Sequence, residues 1–308
     1  MVHISVVSPV YQAASIVPEL VEQLSVELHQ ITDSYEIILV DDRSKDSSWE
    51  SIKSVCTHRT NVVGLRLSRN FGQHSAITAG LAAAKGEWII VMDCDLQDRP
   101  DQISKLYSKA VEGYDLVYAR RQIRKDPLLK SFYPKVFYFL FSYLTNTVQD
   151  PAIANFGIYN KKVVNGVLSM NDSVRYFPTM TQWVGFNSTS VNVSHSSRSQ
   201  GKSSYTFSKS FRLAINNIIS FSDKPLRLVA QLGLLISFLS LLVGIYYFCG
   251  YIFGFIKVAG YTSIIISIWL TAGFNIFILG LIGIYLGKAF EKVKGRPIYI
   301  IDDSINNG

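Results

Sequence analysis

Two long uncharged runs near the C-terminal end constrain the fold more than any other feature. Residues 228–255 and residues 263–286 contain no Asp, Glu, Lys or Arg. Each run exceeds the roughly 20 apolar residues that a helix needs to cross a bilayer. A buried core helix is the alternative, but core helices are rarely this long without a charge. The sequence therefore predicts two transmembrane helices over these residues.

Basic residues predict the orientation of this pair of helices. Lys224 and Arg227 precede the first run, Lys288 and Lys292 follow the second, and the connector carries only Lys257. Lysine and arginine are enriched in cytoplasmic loops, so both ends of the predicted hairpin would be cytoplasmic. We expect a cytoplasmic domain over residues 1–225, a multi-pass segment of the cell (plasma or inner) membrane over 226–290, and a cytoplasmic tail over 291–308.

Composition agrees with a soluble domain joined to membrane segments. The chain is 48% hydrophobic, yet 17% of its 308 residues are charged and its net charge is +7. The three cysteines are too far apart for a metal pattern or a disulfide framework, which suits a reducing compartment. The N-terminal stretch "MVHISVVSPVY" lacks the basic region and cleavage site of a signal peptide and is typical of a strand.

Strands and helices alternate through the first part of the chain. Four short apolar runs, "HISVVSPVY", "YEIILVDD", "NVVGLRLS" and "EWIIVMD", are separated by predicted helices over 16–30, 47–56 and 75–84. This alternation predicts an α/β fold with a parallel sheet that is covered on both faces. In such sheets ligands bind at the carboxyl ends of the strands, where the strand order switches.

Acidic residues gather at these predicted strand ends. Asp93 and Asp95 follow "EWIIV", and on a continuing strand both side chains would face the same way. Paired carboxylates suit Mg²⁺ or Mn²⁺ held together with the phosphates of a substrate, although acids in ordinary turns are the alternative. The turns contain neither GxGxxG nor GxxxxGK[ST], so the dinucleotide-binding fold and the P-loop are poor fits.

Longer motifs carry a family resemblance. The stretches "ILVDDRSKD", "LSRNFGQHSAITAGLAAAKGEWIIVMDCDLQDRPD" and "RSQGKSSY" resemble family-2 glycosyltransferases that load sugars onto polyprenyl phosphates, such as dolichyl-phosphate mannose synthases and bacterial undecaprenyl-phosphate glucosyltransferases. The resemblance implies a GT-A-type, Rossmann-like nucleotide-diphospho-sugar transferase domain. It further implies inverting transfer from a UDP-sugar, such as UDP-glucose, to undecaprenyl phosphate, which gives a lipid-linked sugar for cell-envelope glycan modification.

The same resemblance implies the residues of the site. Those expected to hold the nucleotide-sugar are Pro9, Tyr11, Val40, Asp42, Asp93, Cys94, Asp95 and Gln97. Asp95 and Gln97 would ligate the Mg²⁺ or Mn²⁺, with Asp93 as a further candidate ligand. Those expected to contact the acceptor phosphate are Arg121, Arg198 and Ser203. The candidate catalytic residues are Asp95, Arg121, Asp150, Asn155 and Arg198.

The chain departs from the family pattern at two places. Tyr11 is followed by Gln12 and not by the frequent Asn-Glu, so one acidic nucleotide contact is missing. Asn155 stands where many members have an aspartate base. Asp150, in the turn "VQDPAI", is the nearest alternative carboxylate, and an ordinary turn acid before proline is the competing interpretation.

The remaining features bear on the membrane and on partners. Helices predicted over about 128–145 and 205–222 are expected to lie in the membrane interface, although packing on the sheet or on a second subunit stays open. His74 and His195 are expected to be polar surface or loop residues. Expected partners are the donor, the lipid acceptor, membrane lipids and a further copy in a homo-oligomer, with no nucleic acid.

Two other functions compete with this interpretation. A processive polysaccharide synthase shares the chemistry, but it needs a longer membrane channel than two spans provide. A non-catalytic membrane scaffold with a relic transferase domain would have no need to bind the donor. Metal-dependent binding of a UDP-sugar therefore separates the enzyme from the scaffold.

Overall fold

Eight strands and eight α-helices occur in the residues that the computed structural model describes, 2–121, 152–170, 172, 175–194, 224–253 and 260–307. The strands are β1 (Ile4–Val10), β2 (Tyr35–Asp41), β3 (Val62–Leu67), β4 (Trp88–Val91), β5 (Leu116–Arg121), β6 (Ile153–Asn160), β7 (Ser188–Val193) and β8 (Ile301–Ile305). The helices are α1 (Val17–His29), α2 (Ser48–His58), α3 (Gln73–Ala83), α4 (Ile103–Ala110), α5 (Lys161–Ser169), α6 (Phe177–Trp183), α7 (Lys224–Ile252) and α8 (Tyr261–Val293).

The first seven predicted elements are confirmed to within a few residues, as β1 to β4 and α1 to α3. Other predictions fall outside the described residues. These are the interfacial helices over 128–145 and 205–222, and the residues Asp150, His195, Arg198 and Ser203.

The eight strands form one sheet in the order β7-β5-β6-β4-β1-β2-β3-β8. Strands β4, β1, β2 and β3 are parallel to one another. Strand β6 is antiparallel to both β4 and β5, and β8 is antiparallel to β3. The prediction of a parallel sheet is thus confirmed for β1 to β4, the strands from which it was made, whereas β6 and β8 run in the opposite direction. An apolar run shows that a strand is buried on both faces, but it does not fix the strand's direction.

Helices cover both faces of this sheet. In β1, Val6 and Val10 belong to the hydrophobic core that also contains buried residues of α1, α2 and α4, whereas Val7 meets α3. On α3, Gly80 permits close packing, since a Cβ there would lie 2.4 Å from Cγ1 of Val7 and 3.2 Å from Cγ2 of Val40. This contact holds α3 tightly against β1 and β2 and so fixes where its N-terminus lies.

The order of the central strands creates a switch point. From β1 the chain proceeds to β2 and β3 on one side and then returns to place β4 on the other side of β1. The carboxyl ends of β1 and β4 therefore border a crevice of the kind in which α/β sheets bind ligands.

Helices α7 and α8 belong to a second compact unit. They have 29 and 33 residues and include most of the two uncharged runs. Among the described residues one segment, Leu270–Val293, has the length and hydropathy needed to cross a bilayer. Two spans, and hence a hairpin, stay a prediction.

From Arg296 onward the chain belongs again to the sheet-containing unit. Here the chain forms β8, which pairs with β3 along the edge of the sheet. The segment over 291–308, expected only to be a tail, thus contains a strand of the eight-stranded sheet.

Candidate active site

A cavity of about 390 Å³ lies at the carboxyl ends of the four parallel strands. Its size suits a small-molecule ligand. Each of the four strand ends contributes to its wall. The residues that line it are Pro9, Val10, Tyr11, Asp42, Asn70, Gly72, Gln73, Asp93, Cys94 and Asp95. The structure therefore brings together six of the predicted nucleotide-sugar residues: Pro9, Tyr11, Asp42, Asp93, Cys94 and Asp95.

Asp42 connects the loop after β2 to the loop after β3, and both loops line this cavity. Its carboxylate accepts hydrogen bonds from the backbone N–H groups of Phe71, at 2.7 Å, and of Gly72, at 2.9 Å. Gly72 has a φ of 94°, which side chains other than hydrogen rarely permit. Burial raises the pKa of Asp42, and the two backbone hydrogen bonds oppose that effect. Asp42 thus fixes the loop that leads into α3.

Asp93 receives two side-chain hydrogen bonds on one oxygen. Nε2 of Gln73 donates to Oδ1 at 2.7 Å, and Nδ2 of Asn155 donates to the same atom at 3.3 Å. Burial, followed by the charge of Asp98, raises the pKa of Asp93 to about 6. Positive charge brought next to Asp93 would therefore stabilise its ionised form.

Asp95 reaches the same cavity by a turn. Strand β4 ends at Val91, so the expectation that a continuing strand aligns Asp93 with Asp95 is wrong. The chain instead turns through Leu96, whose φ is 57°. Oδ1 of Asp95 accepts a hydrogen bond from the backbone N–H of Gln97 at 3.1 Å. Two carboxylates thus border one cavity, through turn geometry and not through strand alternation.

Arg121 is held by a buried acid that sequence reasoning left without a role. Nη2 of Arg121 donates to Oδ1 and Oδ2 of Asp98, at 3.1 and 3.2 Å. The Asp98 side chain is 1% exposed and that of Arg121 is 31% exposed. Arg121 also acts electrostatically on Asp93. The only sequence signal for Asp98 is its place in the acidic stretch after β4, because its partner lies 23 positions away.

Tyr11 and Cys94 border the cavity on one side. Tyr11 is 44% exposed, and the backbone of Tyr11 donates a hydrogen bond to Cys94. Burial raises the pKa of the Cys94 thiol to about 12, so this thiol is not a nucleophile at neutral pH. Val40 is fully buried in β2 against α3, and it is absent from the residues described as lining the cavity.

His74 follows a cavity residue, Gln73, and packs against Tyr176 and Phe177. It lies in the first turn of α3 and is partly buried, so the expectation of a surface or loop residue is wrong. The backbone N–H of Phe177 donates to its Nδ1 at 3.5 Å, and the ring of Tyr176 meets it edge-on. Burial lowers the pKa of His74 to about 4, so the imidazole is neutral at pH 7.

A larger cavity, of about 640 Å³, lies on the other side of Asp95. Its wall is rich in carboxylates from α1 and from the segment after Asp95, among them Glu19, Glu22, Glu27 and Asp101. The smaller cavity has carboxylates too, but it lies at the switch point where the carboxyl ends of the four parallel strands meet, which is where α/β sheets bind ligands. The smaller cavity is therefore the better candidate for a nucleotide-sugar.

Comparison with known proteins identifies relatives over nearly the whole chain. The family description "Glycosyl transferase family 2" matches residues 5–167. A glycosyltransferase of Synechocystis is 34% identical over 303 residues, covering 98% of this chain and 95% of the relative. The undecaprenyl-phosphate 4-deoxy-4-formamido-L-arabinose transferase of Proteus mirabilis is 30% identical over 301 residues, covering 97% and 92%.

The fold is also similar to that of a solved glycosyltransferase. Glucosyl-3-phosphoglycerate synthase from Mycobacterium tuberculosis, in complex with Mn²⁺, UDP and phosphoglyceric acid, superposes with a TM-score of 0.50. The sequences are 15% identical, and the match covers 71% of this chain and 76% of the synthase. This similarity confirms the expected GT-A-type α/β fold.

Proposed function

The chain belongs to glycosyl transferase family 2, and we propose that it moves a sugar from a nucleotide diphosphate to the phosphate of a polyprenyl lipid. The donor is a UDP-sugar, UDP-glucose or a related one, and the acceptor is undecaprenyl phosphate. The product is a lipid-linked sugar that serves cell-envelope glycan modification. The observation that carries this proposal is the cavity at the ends of β1 to β4, with Asp93 and Asp95 on its wall.

The walls of the cavity suit the three parts of the donor. Tyr11, partly exposed beside Pro9, offers an aromatic face to the nucleotide base. The diphosphate then lies toward Asp93 and Asp95, and the sugar lies toward Asn155, whose amide holds Asp93. Asp42 acts mainly through the two backbone N–H groups that it fixes.

A divalent cation fits the donor set of this cavity. Among the described residues no group of three or more His, Cys, Asp or Glu side chains could hold a metal ion by itself. Mg²⁺ and similar ions, however, are often held by one or two carboxylates together with substrate phosphates. Asp95 and Asp93 supply the carboxylates, with Gln97 as a further ligand. Such an ion would neutralise the negative charge that develops on the departing diphosphate.

The proposal of a lipid acceptor is supported by the C-terminal half of the molecule. The Proteus mirabilis relative is named for undecaprenyl phosphate and matches 97% of this chain, so the similarity extends beyond the nucleotide-binding part. Helix α8 contains a segment apolar enough to enter a bilayer. We place the protein in the cell membrane, with the sheet-containing unit in the cytoplasm.

The reaction needs no strong protein base. An oxygen of the lipid phosphate attacks the anomeric carbon of the sugar, and the bond from that carbon to the leaving diphosphate breaks on the opposite face, which inverts the configuration. A phosphate monoester has a second pKa of about 6, so it is largely ionised at pH 7. An asparagine at position 155 is therefore compatible with activity. We propose that Arg121, which Asp98 orients by accepting its hydrogen bonds, binds the acceptor phosphate.

The roles of Arg198, Ser203 and Asp150 stay proposals, because these residues lie outside the described part of the chain. We assign Arg198 and Ser203 to a loop that closes over the diphosphate and the acceptor phosphate. Arginine suits this task because its planar guanidinium can bind phosphate oxygens in pairs.

The decisive test is transfer by the purified full-length protein. UDP-sugars and GDP-sugars would be offered with undecaprenyl phosphate, with and without a chelator of divalent cations. Asp95→Asn should lower kcat by at least about a hundredfold, since the amide keeps the shape of the carboxylate but loses its charge. The melting temperature should stay close to that of the wild type.

Asp33→Asn provides a matched control. Its side chain is 95% exposed and precedes β2, so it lies at the edge of the sheet opposite the cavity. This variant should keep full activity. If Asp95→Asn transfers sugar at the wild-type rate, or if the chelator does not lower the rate, the assigned site is contradicted. If the wild-type protein transfers no sugar to the lipid, the proposed function is contradicted.

A further inference from the structure

Strand β8 contacts both loops that wall the donor cavity. The first loop follows β2 and contains Asp42, and the second follows β3 and contains Gly72. The carbonyl oxygen of Ile300, just before β8, accepts a hydrogen bond from the backbone N–H of Ser68 at 2.9 Å, where the second loop begins. Asp302, within β8, forms an ion pair with Arg43, the residue after Asp42.

An irregularity in the strand pairing aims Asp302 at the first loop. Arg66 pairs with Asp303 and Leu67 pairs with Ile301, so Asp302 is the extra residue between two paired positions. Bulges of this kind redirect a side chain and are frequent beside active sites. Asp302 accordingly faces Arg43 and does not continue the regular alternation of β8.

Arg43 has a backbone conformation that its surroundings must maintain. Its φ is 56°, in the left-handed region that a non-glycine residue occupies only at some cost. The next residue, Ser44, is fixed on both sides: its backbone N–H donates to Asp41 at 3.0 Å, and its hydroxyl accepts from the backbone N–H of Gln12 at 2.9 Å. The ion pair with Asp302 fixes the side chain of Arg43 itself.

The far end of β8 is anchored away from the cavity. Nδ2 of Asn306 lies within hydrogen-bond distance of three backbone carbonyl oxygens at the end of α2 and the start of β3, at 3.0 Å from Cys56, 3.3 Å from Arg59 and 2.9 Å from Val62. These acceptors include carbonyls that the end of a helix leaves unpaired. Strand β8 is therefore anchored at this end, so that Asp302 can hold Arg43 in place.

We propose that Asp302 is a positioning residue for the donor cavity, which it shapes by holding Arg43 and, through the neighbouring Asp42, the loop that carries Gly72. The proposal rests on the function assigned to this cavity above. It links donor binding to a strand that the chain forms only after α8. Losing the ion pair lets the two loops sample more conformations, so the donor must order them on binding. Affinity for the nucleotide then falls, while the rate of the bound complex changes little.

The test compares charge reversals in the full-length protein in lipid nanodiscs. Asp302→Lys should raise the dissociation constant of UDP and the KM for the UDP-sugar by about three- to tenfold, with kcat within about twofold, because exposed ion pairs have modest effects. Hydrogen exchange, measured without nucleotide, should become faster at residues 41–44 and 68–73. Combining Arg43→Glu with Asp302→Lys should restore both readouts.

Asp33→Lys is the matched control. It makes the same charge change at a side chain that is 95% exposed and precedes β2, at the edge of the sheet opposite the cavity. This variant should match the wild type. Unchanged exchange and UDP affinity in Asp302→Lys, or an equal change in Asp33→Lys, would overturn the proposal. A wild type that transfers no sugar would refute the function instead, and the exchange rates, which require no substrate, would still decide the role of Asp302.

Discussion

The side-chain amide of Asn155 donates a hydrogen bond to Asp93 at 3.3 Å, across the boundary between β6 and the end of β4. The family resemblance raised the question of a missing aspartate at position 155. The contact indicates that the asparagine serves to bind Asp93, because an amide can donate a hydrogen bond to Asp93 whereas an ionised carboxylate would repel it. Asn155 is 8% exposed, so little water is present to screen that repulsion.

Replacing Asn155 tests this relationship. Asn155→Ala removes one hydrogen bond and should lower kcat by about tenfold or less. Asn155→Asp should lower the melting temperature of the nucleotide-free, metal-free protein by more than Asn155→Ala does, since it places two carboxylates in contact. Activity assays and thermal melts of both variants check the two statements. A decrease in kcat of more than about a hundredfold in Asn155→Ala would show that Asn155 takes a direct part in the reaction. If Asn155→Asp melts at the same temperature as the wild type, the hydrogen bond to Asp93 would be contradicted.

The ion pair of Arg121 with Asp98 should couple the two residues in a double-mutant cycle. Arg121→Gln removes a cation that pairs with the buried Asp98, so it should destabilise the fold by about 1–3 kcal/mol. Adding Asp98→Asn should recover part of this loss. Chemical denaturation of the single and double variants measures the coupling.

A surface pair in the same unit serves as control for that cycle. Lys109 and Glu112 form an ion pair whose side chains are 34% and 54% exposed. Their coupling should stay below about 0.5 kcal/mol, as is usual for exposed ion pairs. Equal coupling energies in the two cycles would mean that Arg121 is not held by a buried charge.

The pH dependence of stability should contain a contribution from His74. Burial lowers its pKa from 6.5 to about 4, so between these values the unfolded chain binds more protons than the folded one. Stability should therefore decrease as the pH falls below about 6.5, and this loss should be complete near pH 4. Melting temperatures of the wild type and of His74→Gln should differ by a constant amount above pH 7. Below pH 6 the melting temperature of the wild type should fall more steeply than that of His74→Gln. Melting temperatures that change in parallel over the whole pH range would contradict the burial of His74.

Local patterns explain why the sequence predicts the first half of the fold well. The strands β1 to β4 and the helices α1 to α3 each bury an apolar run or face that can be identified from neighbouring residues alone. Because parallel strands end at one edge of a sheet, the acids after β2 and β4 also predict the cavity. Strand direction beyond β4 has no such local signal, which is why the sequence does not predict that β6 and β8 run antiparallel to the strands beside them.

Contacts between distant residues explain what the sequence does not predict. Asn155 meets Asp93 across 62 positions, and Asp302 meets Arg43 across 259. Neither pair has a spacing that indicates contact. Strand β8 had one usable signal, the β-branched run that includes Ile300 and Ile301, yet its position after two predicted membrane helices favours interpretation as a tail.

The position of β8 changes what a truncated protein can show. A chain that ends before α7 lacks the membrane helices, but it also lacks the strand that covers the edge of β3. The carbonyls near the end of α2 then lose Asn306, and β3 becomes an exposed edge. We expect residues 1–223 alone to be soluble only poorly and to melt well below the full-length protein.

A synthetic peptide of residues 296–307 should restore this truncated domain. Its binding re-forms the pairing with β3, so the melting temperature should rise with peptide concentration. A peptide with Asn306→Ala should bind about tenfold more weakly, because it loses the side-chain hydrogen bonds to the end of α2. A domain equally stable with and without peptide would show that β8 is dispensable. If the peptide restores UDP binding but not transfer to undecaprenyl phosphate in vesicles, the remaining defect is due to the missing helices, and the anchoring role of α7 and α8 is isolated from the role of β8.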